Sequence, residues 1–282
     1  MSTQLSPLGR FEKILVATDT SEFSAGALRV GMALVKKCGA KLVIMTMVKT
    51  NPEYESIAPG LERQAEVAAR EYLDKAIEAA RAQGIDVDTL VRRGDRPDVE
   101  IVSAAEDLNA DLIVMGRRGR RGLARFMVGD AVVKVIGHAH CSVLVVPKAA
   151  GMWQKRILVA TDGSRYSDAA ATSAAKVAKV CGLPVTVVSA TAPSHSEARV
   201  KEAHEAVARL AKFFADDGVS VDTRVPHGRP DEAVVATARE VGADVIVTGT
   251  HGRTGLQKLL MGSVVERIIG QAECPILVVK AS

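Results

Sequence analysis

The chain states most of its content twice. KILVATDTS over Lys13–Ser21 returns as RILVATDGS over Arg156–Ser164, NADLIVMGRRG returns as GADVIVTGTHG, and HCSVLVVPK over His140–Lys148 returns as ECPILVVKA. A period of about 140 residues is too long for a solenoid unit and long enough for a domain with its own core. Two copies of one domain are therefore expected, residues 1–149 and 150–282, with the join at Ala149–Gln154. The cysteines obey the same repeat: Cys38 and Cys181 close equivalent segments, and so do Cys141 and Cys274.

Within each copy, short β-branched runs alternate with longer stretches of helical period. In the first, ILVAT, LVIMTMV, DVDTLV, DLIVM and SVLVVP read as strands. Phe23–Lys37 and Leu61–Gln83 read as helices, the latter with Ala65, Ala68, Tyr72, Ala76 and Ala80 on its apolar face, and further helices start near Pro97 and Asp130. The second copy runs RILVAT, a helix over Tyr166–Val180, PVTVVSA, a helix over Ala198–Ala215, VDTRV, a helix from Pro230, DVIVT and PILVVK. On that second long helix Val200, Ala203, Val207, Leu210 and Phe214 face inward. Five strands joined by helical crossovers argue for an α/β fold: an open parallel sheet covered on both faces, its crossovers right-handed.

One stretch is spaced for a ligand rather than for a core. GTHGRTGLQKLLMGS, Gly249–Ser263, follows the apolar run DVIVT and precedes VVERIIGQ, an order of strand, glycine-rich loop and helix start. Gly249 and Gly252 are expected to let the backbone approach a polyphosphate and to take up positive φ. Gly262 and Ser263 lie where a helix offers unpaired N–H groups and the positive end of its dipole. Two glycines after a strand make an ordinary turn; three glycines and a serine at G-x2-G-x9-G-S point to phosphate.

That spacing, with TDGS (Thr161–Ser164) after the first strand of the same copy, resembles the universal stress protein family, specifically its nucleotide-binding branch. The resemblance covers both copies and implies a five-stranded Rossmann-like sheet of order 3-2-1-4-5 in each. In such a sheet the crevice lies where the chain reverses direction, at the carboxyl ends of strands 1 and 4. It implies ATP as ligand, with magnesium a candidate companion. Asp162 is expected at the adenosine end, Ala160 and Thr161 lining the base pocket, Ala190 beside the adenine, and the phosphates over Gly249, Gly252, Gly262 and Ser263 with Thr248 and Val264 flanking. For Asp162 a helix N-cap is a compatible second role, for which Ser164 competes. Arg253 is either a phosphate partner or a solvated cation. The family also implies that the last strands, Ser142–Val146 and Ile276–Val279, pair the two copies across a pseudo-two-fold axis; the short connector AAGMWQK places Trp153 at that seam, and a further homodimer is a candidate assembly.

The first copy departs from the motif. Gly116, Gly119 and Gly129 keep the spacing, but Asp130 replaces the serine. A carboxylate about 4 Å from a phosphate charge costs roughly 4 kcal/mol at an effective dielectric near 20, about three decades of affinity. The second copy is therefore expected to hold ATP, and the first weakly or not at all. Magnesium bridging, or neutralisation by Arg117, Arg118, Arg120, Arg121 and Arg125, would be the escapes.

Other function classes find less support. A net charge of +4 with interleaved signs and 3% aromatics argues against a nucleic-acid binder. No apolar run approaches the roughly 20 residues of a membrane span, and the N-terminus lacks a signal core, so a cytoplasmic protein is expected. The six histidines offer no zinc spacing, and the scattered cysteines read as reduced packing residues. No nucleophile elbow, GxxxxGK[ST] or general base near the phosphates is evident, so at most slow ATP hydrolysis is expected. TDTS and TDGS stand where adenylating synthetases of similar topology carry HxGH, and the segment Val48–Gly60 is a lid or contact surface particular to the first half.

Overall fold

The computed structural model describes residues 11–50, 60–118, 127–253 and 261–281. In the first half, β1 (Lys13–Thr18) leads through a short 3-10 turn into α1 (Ala25–Cys38), then β2 (Lys41–Lys49), α2 (Leu61–Arg81), β3 (Val87–Gly94), α3 (Pro97–Leu108), β4 (Leu112–Gly116), α4 (Asp130–His138) and β5 (Ser142–Val146). The second half repeats this as β6 (Ile157–Ala160), α5 (Arg165–Cys181), β7 (Val185–Val188), α6 (Glu197–Asp216), β8 (Val221–Arg224), α7 (Pro230–Glu240), β9 (Val245–Gly249), α8 (Ser263–Gln271) and β10 (Ile276–Val279).

Among the described residues the strands form one ten-stranded sheet, ordered β3-β2-β1-β4-β5-β10-β9-β6-β7-β8. Each half is a parallel 3-2-1-4-5 unit, and the halves meet where β5 and β10 run antiparallel, with Leu277 opposite Leu144. The strands of the centre are apolar on both sides because both faces are covered. Ile14 and Val16 of β1 enter one core, with α1, α2, α5 and α6, while Leu15 and Ala17 enter the other, with α3, α4, α7 and α8. The outer strands are polar: β3 carries Asp88, Arg92 and Arg93, and β8 carries Asp222 and Arg224, charges that discourage further strand addition.

Trp153 is 1% exposed in the first of these cores, close to the join. The connector is fastened by Arg29 of α1, whose guanidinium donates to the carbonyls of Lys148 at 2.7 Å and Ala150 at 2.7 Å. The long helix of the first half differs from expectation by about one position. Its buried stripe is Ala69, Leu73, Ala76 and Ala80, and Ala65 and Ala68 face solvent. Tyr72 stands at the edge of the core because its hydroxyl hydrogen-bonds Thr18 Oγ1 at 3.3 Å. On α6 the buried residues include Ala203, Val207, Leu210 and Phe214. Residues 51–59, within the segment expected to form a lid or contact surface, lie outside the described residues.

Burial sorts the four thiols. Desolvation first, then Asp111, pushes Cys141 up to about 12; desolvation, then Asp244 and Glu273, does the same for Cys274. Cys38 and Cys181 are half-buried at helix ends. Brief alkylation of the native chain at pH 8 followed by peptide mass analysis is expected to label Cys38 and Cys181 and to spare Cys141 and Cys274 until denaturant is added. The raised pair also sets a sign. The unfolded chain releases these protons first, so their stabilising contribution is full below the ordinary thiol value of 9.0 and is lost as pH rises toward about 12.

Candidate functional site

A cleft opens at the carboxyl ends of β6, β7 and β9, where the second half reverses its strand order. Its cavity volume is about 240 Å³. All eleven residues singled out from the sequence lie on its wall: Ala160, Thr161 and Asp162 after β6, Ala190 after β7, Thr248, Gly249, Gly252 and Arg253 at β9 and its loop, and Gly262, Ser263 and Val264 at the start of α8. Residues 254–260, between the two limbs of that loop, lie outside the described residues.

The loop after β6 is built by its own polar side chains. Thr161 Oγ1 accepts from Gly163 N–H at 3.1 Å and donates to Ser167 Oγ at 3.0 Å. Asp162 Oδ1 accepts from Ser164 N–H at 3.0 Å, and Asp162 Oδ2 accepts from Arg253 N–H at 2.6 Å across 91 residues. Helix α5 is capped by Ser164, whose hydroxyl accepts from Ser167 N–H. Asp162 is thus a tie between the two loops that frame the cleft, not the cap.

The glycines have different reasons for being there, and none of the three has positive φ. A Cβ on Gly249 would sit 2.6 Å from the Tyr166 carbonyl oxygen of α5, so close helix–strand packing requires glycine. A Cβ on Gly252 would meet Asp162 Oδ2 at 2.7 Å. Gly262 is unlike both. It is the N-cap of α8 at φ −68° and ψ 138°, a conformation open to any residue, and an added Cβ would find its nearest atom at an ordinary 3.5 Å. Among the described residues, packing does not call for glycine at 262, which stands beside the free N–H groups that open a helix.

Arg253 is a partner of protein rather than a solvated cation. Its guanidinium ion-pairs with Glu202 of α6, which also receives Arg199 at 3.2 Å. The Arg253 hydrogen bond first, then Arg199, draws the Glu202 carboxyl below the usual carboxylate range. The wall also includes residues the sequence reading missed: Ser189, His195, Arg199, Pro230 and Val234. A signal existed for part of this set. Arg-Pro-Asp occurs in both copies, as Arg96-Pro97-Asp98 and Arg229-Pro230-Asp231, with proline at the first turn of a helix. Asp231 is fully buried and its Oδ2 accepts from Arg229 at 3.0 Å and from Gln271 of α8 at 2.9 Å, which locks α8 against the start of α7.

The opposite end of α8 is held from the other half. Arg117, at the loop after β4, places Nη1 at 3.2, 3.0 and 2.8 Å from the carbonyl oxygens of Ile269, Gly270 and Ala272, the end where a helix concentrates negative partial charge. In reverse, Lys280 donates to the Gly137 carbonyl at the end of α4 at 3.0 Å. Asp130 departs from expectation in its surroundings. Its side chain is 81% exposed and pairs with Lys134 at 2.6 Å. Its repulsion of a phosphate is screened toward the aqueous limit of about 1 kcal/mol at 4 Å, less than a decade of affinity. Gly119, Arg120, Arg121 and Arg125 lie outside the described residues.

Fold and cleft together define a tandem, doubly wound α/β protein. The model of the Universal stress protein family matches residues 10–147 and again 154–280, and the chain belongs to that family. It is 37% identical over 139 residues to the universal stress protein MJ0531 of Methanocaldococcus jannaschii, covering 45% of this chain and 82% of that one. It is 31% identical over 151 residues to the universal stress protein Sll1388 of Synechocystis, covering 48% and 97%. A universal stress protein from Archaeoglobus fulgidus shares the fold over 99% of both chains, with a TM-score of 0.76 at 22% identity. No described helix is long and apolar enough to cross a membrane.

Proposed function

We propose that this chain is a nucleotide-responsive stress or regulatory module that binds ATP in the second-half cleft, with the first half binding it weakly or not at all. The observation that carries the reading is Gly262: a glycine that neither its backbone conformation nor packing against the described residues requires, at the start of a helix whose N-terminus opens on the cleft. Its absent side chain leaves main-chain N–H donors open to an anion. The nucleoside end falls to Ala160, Thr161, Asp162 and Ala190, with Pro230 and Val234 as apolar cover, and the phosphate end to Gly249, Gly252, Gly262, Ser263 and Arg253, flanked by Thr248 and Val264. Magnesium would be held chiefly by the phosphates, since the nearest carboxylate, Asp162, is engaged with two backbone N–H groups.

Asymmetry between the halves rests mainly on Arg117, because a side chain at the start of the loop that would have to cradle phosphate in the first half is committed to α8 instead. Pairing of the halves through β5 and β10 gives the chain internally what two separate copies would otherwise supply. Isothermal titration of ATP into the intact chain is expected to give one site per chain. Two equal sites would refute the asymmetry, and no heat at any concentration would refute the ATP reading.

A further inference from the structure

We infer that Glu202 is an internal competitor for the phosphate end of the ligand, and that its exchange with a terminal phosphate on Arg253 sets the preference for nucleotides by phosphate number. The inference rests on the nucleotide reading above.

Three fixed points define the exchange. The main chain at Arg253 is anchored, because its N–H is bonded to Asp162 Oδ2 at 2.6 Å. The guanidinium leaves that anchor across Gly163, where an added Cβ would lie 2.9 Å from Nη2, and reaches Glu202 on α6. Arg199, also on the cleft wall, holds the same carboxylate from its own helix. Two cations and one anion thus stand at the mouth of the cleft, close to Gly252 of the phosphate loop. Glu202 stands just behind the wall; among the described wall residues Asp162 is the one carboxylate, and its two oxygens serve the loops.

Glu202 is exposed to solvent, so its pair with Arg253 is weak, whereas a phosphate accepts two parallel N–H bonds from a guanidinium and carries more charge. A ligand long enough to reach Arg253 replaces Glu202, and one that ends short leaves the pair intact. Arg199 retains Glu202 in either state, so the anion is released from the loop without being stranded. Nucleotides are in this way ranked at a side-chain contact, apart from the main-chain N–H groups of the loop.

The test is titration of ATP and AMP into the unchanged chain, Glu202→Gln and Arg253→Ala. Glu202→Gln is expected to tighten ATP by about two- to fivefold and to leave AMP unchanged, since an exposed pair is worth at most about a factor of five. Arg253→Ala is expected to weaken ATP and to abolish the effect of Glu202→Gln in the double variant. Equal changes for ATP and AMP, or an undiminished Glu202→Gln effect without Arg253, would overturn the exchange alone. Absence of binding by the unchanged chain would overturn the nucleotide reading and the exchange with it.

Discussion

Replacing Gly262 by Asp is expected to lower the affinity for ATP about a thousandfold while the melting temperature stays level or rises slightly. The affinity term follows from placing a carboxylate about 4 Å from phosphate charge in a partly enclosed loop, roughly 4 kcal/mol at an effective dielectric near 20. The direction of the added Cβ, toward Thr250 and His251 instead of open water, justifies that dielectric here and not for exposed Asp130. The new carboxylate also accepts the helix-start N–H groups that a phosphate would use. The stability term has the opposite sign, because position 262 is the N-cap of α8, where Asp surpasses Gly by a few tenths of a kcal/mol. Calorimetry and a thermal melt on the same sample separate the two. Full retention of ATP affinity would remove α8 from the site.

Arg117→Ala carries the second large effect, and it is one of stability. The guanidinium satisfies three carbonyls at the end of α8 from the opposite half of the molecule, and loss of charge-assisted bonds of this kind costs about 1.5–3 kcal/mol. A fall in melting temperature of about 3–10 °C is expected. Arg117→Lys should recover part of it, since one ammonium keeps the charge at the helix end and loses the planar guanidinium that places Nη1 among the three carbonyls. An unchanged melt would mean that solvent replaces the guanidinium without penalty.

Much of the fold was legible because the repeat aligns its own strands. ILVAT occurs in both copies and DLIVM returns as DVIVT, with the β-branched residues that a doubly covered strand needs, and the order 3-2-1-4-5 followed from the family resemblance. The residues of the cleft wall were legible for the same reason, since the glycines after the fourth strand recur at the same spacing in both copies. Individual side-chain destinations were not. Nothing in GRRG says that Arg117 reaches 152 residues onward to Ile269, and nothing in THGR says that Arg253 looks back 51 residues to Glu202. Such pairings are set by how helices lie on the sheet, which local pattern does not encode. Gly249 was misread in its backbone angle: its φ is not positive, and the Tyr166 carbonyl of α5 lying against it is by itself a reason for glycine.

The clasp made by Arg117 bears on why two copies share one polypeptide. In an assembly of identical subunits every substitution appears on both sides of the axis at once, so a loop that takes on a bracing duty must abandon ligand capture everywhere. Covalent fusion lifts that obligation. One half can then lend a loop side chain to the other's helix, as Arg117 does, while on the proposed reading the other half keeps its loop for the nucleotide.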